Sequence, residues 1–253
     1  MPNDLGAQPR WWQPPPSCSA GIQAYQYLVL DVETADSRPE EVESELRRFW
    51  SPSASWKSET IGERYKQALT TKQEKAALCD SSPIISVGLK SETELRLVHA
   101  MGRHDPRPLG GGLIEGFDGV RPMLGALRDL LDTRIGETST LVGHNFLKFD
   151  APKLRHAFIE QGIRLPGCLA AKHQPTFDTM VEARRFSLQA DLFISVDDLA
   201  GLLNVGTHKG TIDGAAIPEL YAAHQVEAII SYNLLDVLAE EALFLRMTGA
   251  VGS

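Results

Sequence analysis

Tyr25–Asp31 reads YQYLVLD, and the chain continues directly as Val32-Glu33-Thr34. The run is apolar, rich in residues that favour extended backbone, and ends in an acid, which predicts a buried strand. Residues two apart on a strand point to the same side, so Asp31 and Glu33 present paired carboxylates from one face. Like charges so placed repel, and each is costly to ionise unless a cation sits between them. An Asp-x-Glu at a strand end also serves as a solvated turn or a helix cap, so this pair does not by itself define a chemistry.

Outward from that strand the pattern alternates. Residues 1–20 are rich in proline and polar side chains with no apolar period, and read as a disordered or loosely packed tail that carries Trp11 and Trp12. From about Asp36 to Asp80 the charge is mixed, with Glu40, Glu41, Glu43 and Glu45 followed by Arg47 and Arg48, which suits solvent-facing helices inserted between two strands. Ile84–Leu89 and Glu94–His99 read as a hairpin around a Lys90–Thr93 turn. Gly102–Gly119, heavy in glycine, proline, arginine and histidine, reads as a loop. Met123–Leu131 has helical spacing and Ser139–Val142 is a short strand. Helices are then expected at Ala151–Gln161, Thr179–Arg185, Val196–Leu203, Ile217–Ala223 and Gln225 to about Met247. Strands first and helices after predict a mixed α/β sandwich around one central sheet, with residues 21–250 forming the domain.

The chain has 253 residues, 33 acidic and 25 basic, for a formal net charge of −8. No apolar run approaches the ~20 residues that span a bilayer, and no basic start leads into an apolar stretch, so the expectation is a soluble cytoplasmic protein with no membrane partner. Cys18, Cys79 and Cys168 are odd in number and far apart, which fits neither a disulfide framework nor a CxxC zinc site. Gly201–His208 starts like a phosphate-binding loop but lacks the Gly-Lys-Ser/Thr ending and follows a helix, so it is set aside.

Two further places put acids where packing would favour apolar groups. Gly143-His144-Asn145-Phe146-Leu147-Lys148-Phe149-Asp150 follows a strand, with Asn145 suited to helix entry and Asp150 at the helix start. Tyr232-Asn233-Leu234-Leu235-Asp236 lies in the last helix, where positions i and i+4 share a face. Four carboxylates on three elements would converge at one sheet edge. An all-oxygen set of this kind suits Mg²⁺ or Mn²⁺ rather than zinc. Two such ions about 3.5–4 Å apart form the clamp used for in-line phosphodiester hydrolysis.

In this order, DVET, HNFLKFD and YNLLD resemble the three motifs of the DEDD superfamily of 3′–5′ exonucleases. The likeness runs through Asp178-Thr179-Met180, Phe193–Leu203 and Lys209–Leu220, and covers about residues 25–248. It is greatest to stand-alone exonucleases related to the proofreading domain of family B DNA polymerases. The fold implied is α/β and ribonuclease H-like, a five-stranded mixed sheet flanked by helices. The resemblance implies that Asp31 bridges two divalent ions, that Glu33 and Asp236 complete the first site, and that Asp150 holds the second ion directly or through water. Tyr232 would orient the attacking water. The histidine-type subclass carries its histidine five positions before the last acid, where this chain has Ser231; the tyrosine type wants a tyrosine four before, and Tyr232 is there. A phenol of ordinary pKa near 10 is a poor general base, which favours a positioning role.

The implied substrate is a DNA 3′ end, single-stranded in preference, cut to nucleoside 5′-monophosphates. Thr34 and Asn145 are candidates for contact with the terminal nucleotide, and Phe146 or Phe149 for stacking on a base, with a core role the competing reading for either phenylalanine. His208 and Lys209 are candidates for a phosphate contact, and Arg103, His104 and Arg107 for steering a strand. The alternatives are an exoribonuclease with the same four acids, and a silent nucleic-acid-binding module of the same fold. The net charge of −8 does not exclude nucleic acid, because four of those charges belong to one site that two divalent ions would cancel formally.

Overall fold

The computed structural model describes residues 24–109, 112–186, 193–206 and 212–250. The 1–20 tail with its two tryptophans, Cys18, and the candidate phosphate contacts His208 and Lys209 lie outside the described residues. Strand β1 (Tyr27–Thr34) is followed by two helices, α1 (Pro39–Phe49) and α2 (Ser58–Gln73), and a short 3₁₀ turn at Ala76–Leu78. Then come β2 (Ile84–Lys90), β3 (Leu95–His99), β4 (Met101–Leu109), β5 (Gly112–Asp118), helix α3 (Val120–Arg134) and β6 (Thr140–Gly143). Helices α4 (Asp150–Glu160) and α5 (Gly167–Ala170) lead to β7 (Thr176–Asp178). The chain closes with α6 (Thr179–Arg185), α7 (Val196–Leu202), α8 (Ile217–Ala222) and the long α9 (Val226–Thr248).

The sheet is mixed and has seven strands in the order β4-β5-β3-β2-β1-β6-β7. Five strands were expected. Of the strands not located in the sequence, β4 and β5 come from the Gly102–Gly119 segment that reads as a loop and extend the sheet beyond β3, and β7 adds a short strand at the other edge. Pro106 and Pro108 explain the misreading: proline cannot donate to a ladder and is tolerated only on an edge strand, and β4 is the edge. In β5 residues alternate between buried and half-buried, as a strand with one covered face should. The 84–99 hairpin forms as expected, with β2 and β3 antiparallel in register from Ser86 opposite His99 to Lys90 opposite Leu95.

The two faces of β1 have different tasks. Leu28, Leu30 and Val32 pack against Met123, Leu124 and Leu127 of α3 and against Leu154 and Phe158 of α4 in the largest core cluster. Each such side chain, fully removed from water, contributes about 1.5–3 kcal/mol before entropy is counted. The opposite face carries Val29, Asp31 and Glu33 and looks towards α9, where Val29 meets Val142 and Val237. Helix α9 is buried on most sides because α6, α7 and α8 pack against it while it crosses β1, β2, β3 and β6. No helix among the described residues is long and apolar enough to cross a membrane.

Candidate metal centre

The site forms where β1 runs on past its pairing with β6. β6 pairs with β1 only from Tyr27 to Val29, and its last residue, Gly143, turns the chain away. A Cβ on Gly143 would meet the Leu30 carbonyl at 3.0 Å and Phe146 Cβ at 2.9 Å, so the sharp exit needs glycine here. Beyond that exit the Val32 N–H donates to Asp150 Oδ1 at 3.1 Å, and a side chain at the start of α4 takes over from the missing strand. On the other flank the pairing with β2 shifts register between Glu33 and Thr34, a bulge that re-aims the strand end beside the carboxylates.

Helix α9 reaches β1 because Gly88, the residue opposite Asp31 on β2, has no side chain. A Cβ there would lie 2.9 Å from Val237 Cγ1 and 3.1 Å from the Asn233 carbonyl. This close approach lets Asn233 Nδ2 donate to Asp31 Oδ2 at 2.5 Å, while its Oδ1 accepts from Ser86 Oγ at 3.2 Å. Ser86 and Asn233 are fully buried. Together they fix the Asp31 carboxylate from behind, a role that motif reading did not assign to either.

Oxygen atoms of Asp31, Glu33 and Asp236 lie within 4.8 Å of one another. Asp150 is buried beside them, and burial followed by the Asp31 charge pushes its carboxyl well above the usual range. Glu33 is raised in the same sense by burial, then by Asp31 and Asp236, and it shares a hydrogen bond with Asp31. Tyr232 is buried, hydrogen-bonded to Asp236, and held protonated by burial and by the surrounding acids. The sequence-predicted acids and the tyrosine therefore meet at one place. Their oxygen-only chemistry, crowded and buried, fits hard divalent cations: a positive ion at the centre would relieve the repulsion that holds these protons on.

The loop from Gly143 to Asp150 is held by a residue whose role motif spacing does not reveal. Asp178 Oδ1 accepts from Asn145 N at 3.1 Å and caps α6 through Met180 N at 3.0 Å, while Oδ2 accepts from Leu147 N at 3.0 Å. His144 donates from Nε2 to the Ile194 carbonyl at 2.7 Å, and its Nδ1 lies within hydrogen-bond distance of the Thr179 hydroxyl at 2.8 Å. Asn145 occupies a left-handed backbone conformation with φ 59°. Phe146 is part of the main core, whereas Phe149 is half-buried. Thr34 donates its hydroxyl to the Ala77 carbonyl at 2.7 Å, tying the strand end to the segment after α2. Arg103, His104 and Arg107 are on β4, with β5, β3 and β2 between them and β1, so they do not flank the acids. Arg107 instead pairs with Glu227 at the start of α9.

Residues 121–248 match the RNase_H_2 family of the RNase_H superfamily. The chain belongs to the RNase H superfamily. No curated protein matches it in sequence. Among solved structures it is similar to the family B DNA polymerase from the hyperthermophilic archaeon Pyrobaculum calidifontis, at 15% identity and a TM-score of 0.52. That likeness covers 88% of this chain but only 24% of the polymerase, and at this identity it concerns the fold alone. An RNase H-like fold is commonly that of a nuclease, and divalent metals and nucleic acid are the partners typical of it.

Proposed function

We propose that the chain is a metal-dependent 3′–5′ exonuclease of the tyrosine-type DEDD class, acting on DNA 3′ ends and on single strands in preference. The observation that carries this reading is the meeting of Asp31, Glu33 and Asp236 oxygens within 4.8 Å of one another, from a strand and a helix far apart in sequence. Asp150 adjoins them and a protonated Tyr232 is hydrogen-bonded to Asp236.

Asp31, Glu33 and Asp236 would hold one Mg²⁺ or Mn²⁺, and Asp31 with Asp150 a second. Two such ions supply an activated water and neutralise charge on the departing 3′ oxygen. Asn233 keeps Asp31 turned towards the centre. The Tyr232 phenol, too firmly protonated to act as a base, orients the water by hydrogen bonding. Thr34 and Asn145 are the proposed contacts with the terminal nucleotide, Phe149 the proposed stacking partner of a base, and Lys209 a proposed phosphate contact. Domain limits of about 21–250 and a cytoplasmic location belong to the same proposal.

The test is digestion of 3′-labelled single-stranded DNA, duplex DNA and RNA with added Mg²⁺ or Mn²⁺. Mononucleotide release from DNA, abolished by chelation and by Asp31→Ala, is expected. Faster release from RNA would reassign the substrate, and equal activity in Asp31→Ala would defeat the two-metal reading.

A further inference from the structure

Glu240 lies on α9 four residues beyond Asp236, so the two share a helix face that runs on from Tyr232. It is 3% exposed, and its Oε2 has no hydrogen-bond partner. Burial comes first among the influences that keep its carboxyl protonated, followed by the charges of Asp31 on β1, Asp150 on α4 and Asp236 on α9 itself. The backbone of His144, on the chain leaving β6, donates a hydrogen bond that acts in the opposite sense. A carboxyl group enclosed among carboxylates is a poor choice for folding, since a buried acid without a counter-charge costs more than an apolar residue of similar size. An acid so placed becomes favourable when a cation enters the space that its free oxygen faces. Asp236 already completes the group with Asp31 and Glu33. Glu240 falls outside that group and is influenced by Asp150, the acid of the other flank.

Resting on the reading of this centre as a metal site, we infer that Glu240 is its fifth carboxylate, facing the cation that Asp31 and Asp150 share and holding it directly or through one water. The site then offers five acids to two divalent ions rather than four, and its Asp31–Asp150 flank binds cations more tightly than two carboxylates would. Glu240 is a positioning residue in this scheme. It makes no contact with the substrate.

The test uses the full chain and Mn²⁺ alone. Free Mn²⁺ is followed by electron paramagnetic resonance during titration of the wild type, Glu240→Gln and Asp31→Asn, and thermal unfolding is recorded with and without Mn²⁺. For Glu240→Gln the expected result is one Mn²⁺ site weakened by about tenfold or more. Its metal-free melting temperature should rise and its Mn²⁺-induced rise should shrink. A residue with a merely structural role would alter the metal-free melting temperature alone. If Asp31→Asn loses Mn²⁺ while Glu240→Gln binds as the wild type does, the inference about Glu240 is overturned and the metal centre stands. If neither variant changes Mn²⁺ binding, the metal reading itself falls. Glu240→Met, which keeps the volume without a polar atom, should reproduce the Gln result; normal Mn²⁺ binding in a folded Met variant would also overturn the inference.

Discussion

Where the chain passes from β3 into β4, His99 and His104 face each other with their Nε2 atoms 2.8 Å apart, and every ring nitrogen is used. The Met101 N–H donates to His99 Nδ1 at 3.2 Å, so the proton of His99 sits on Nε2 and is donated to His104. His104 in turn donates from Nδ1 to the Asp105 carbonyl at 2.9 Å. At the β1–α9 junction, by contrast, several acids crowd together, and Glu240 has an oxygen left over. One polar cluster is closed and complete; the other repels itself. A fold gains from the first kind and tolerates the second only where something from outside completes it. The Lys153 ammonium is a third case, buried yet satisfied by the Cys79 and Asp80 carbonyls at 2.7 and 2.8 Å, and it clasps the segment before β2 to α4.

The largest effect should come from the incomplete cluster. Asp31→Asn or Asp236→Asn removes a carboxylate proposed to stabilise charge in the reaction, a contribution of several kcal/mol, or about a thousandfold in rate. The same variants should make the metal-free protein more stable, because like-charge repulsion is relieved. Rates on 3′-labelled DNA and urea unfolding in chelator measure the two halves. A variant that loses rate and stability together would point to simple misfolding instead.

Acid should separate the two clusters by sign. Burial first, then the charges of His104 and Arg107, push His99 down to about 4, with Glu227 partly opposing. The unfolded chain therefore binds more protons than the folded one between pH 6.5 and 4. Stability falls as the pH drops through that window, by about 3 kcal/mol at its lower end. Protonation of His99 would set its Nδ1–H against the Met101 N–H. In the cleft, Glu33, Asp150 and Glu240 have raised values, so the folded state binds the extra protons and metal-free stability rises as the pH falls towards the ordinary carboxylate range. Urea unfolding at pH 7 and pH 4.5 should find the acid loss reduced in His99→Gln and enlarged in Asp31→Asn. A His99→Gln profile parallel to the wild type would remove the histidine pair as its cause.

The sequence made the incomplete cluster visible and left the complete one hidden, for physical reasons. Paired acids at the end of an apolar strand, and a tyrosine and an acid one helical turn apart, violate the local expectation for buried positions, and a violation is easy to notice. Asp31, Glu33, Asp150, Tyr232 and Asp236 could be named in this way. Glu240 breaks the same rule, but it sits in a helix with other acids nearby, Glu241 among them, and only tertiary burial separates the two. Asp178, Asn233 and Ser86 act through backbone N–H groups and one amide, which no spacing announces. β4 was obscured by prolines that an edge tolerates and β5 by Gly112 and Gly116, and β7 spans only Thr176–Asp178, too short for any period to register. The helices from α6 onward were legible because apolar residues recur at helical spacing, as Val196, Leu199 and Ala200 do in α7.

Closeness between β2 and α9 is what brings the acids together, and it can be disturbed without touching an acid. Gly88→Ala places a methyl 2.9 Å from Val237 Cγ1 and 3.1 Å from the Asn233 carbonyl. Overpacking of this kind costs about 1–3 kcal/mol. Because the displaced element carries Asp236, nuclease activity should fall further than that stability loss explains. Activity measured well below the melting point of the variant distinguishes the two; full activity there would mean that α9 relaxes without moving Asp236.

The smallest change tests the same link at one atom. Ser86→Ala removes the hydroxyl that donates to Asn233 Oδ1 and leaves a buried acceptor unpaired, at a cost of about 1–3 kcal/mol. Asn233 would keep its hydrogen bond to Asp31, since that bond uses the other end of the amide, but would lose the partner that fixes which end points where. The expected signature is a modest loss of rate with a weaker grip on Mn²⁺, restored by Ser86→Thr, which keeps the hydroxyl. If Ser86→Ala lowers the melting temperature and leaves Mn²⁺ affinity unchanged, the hydrogen bond serves packing alone, and the orientation of Asp31 depends on Asn233 without help from β2.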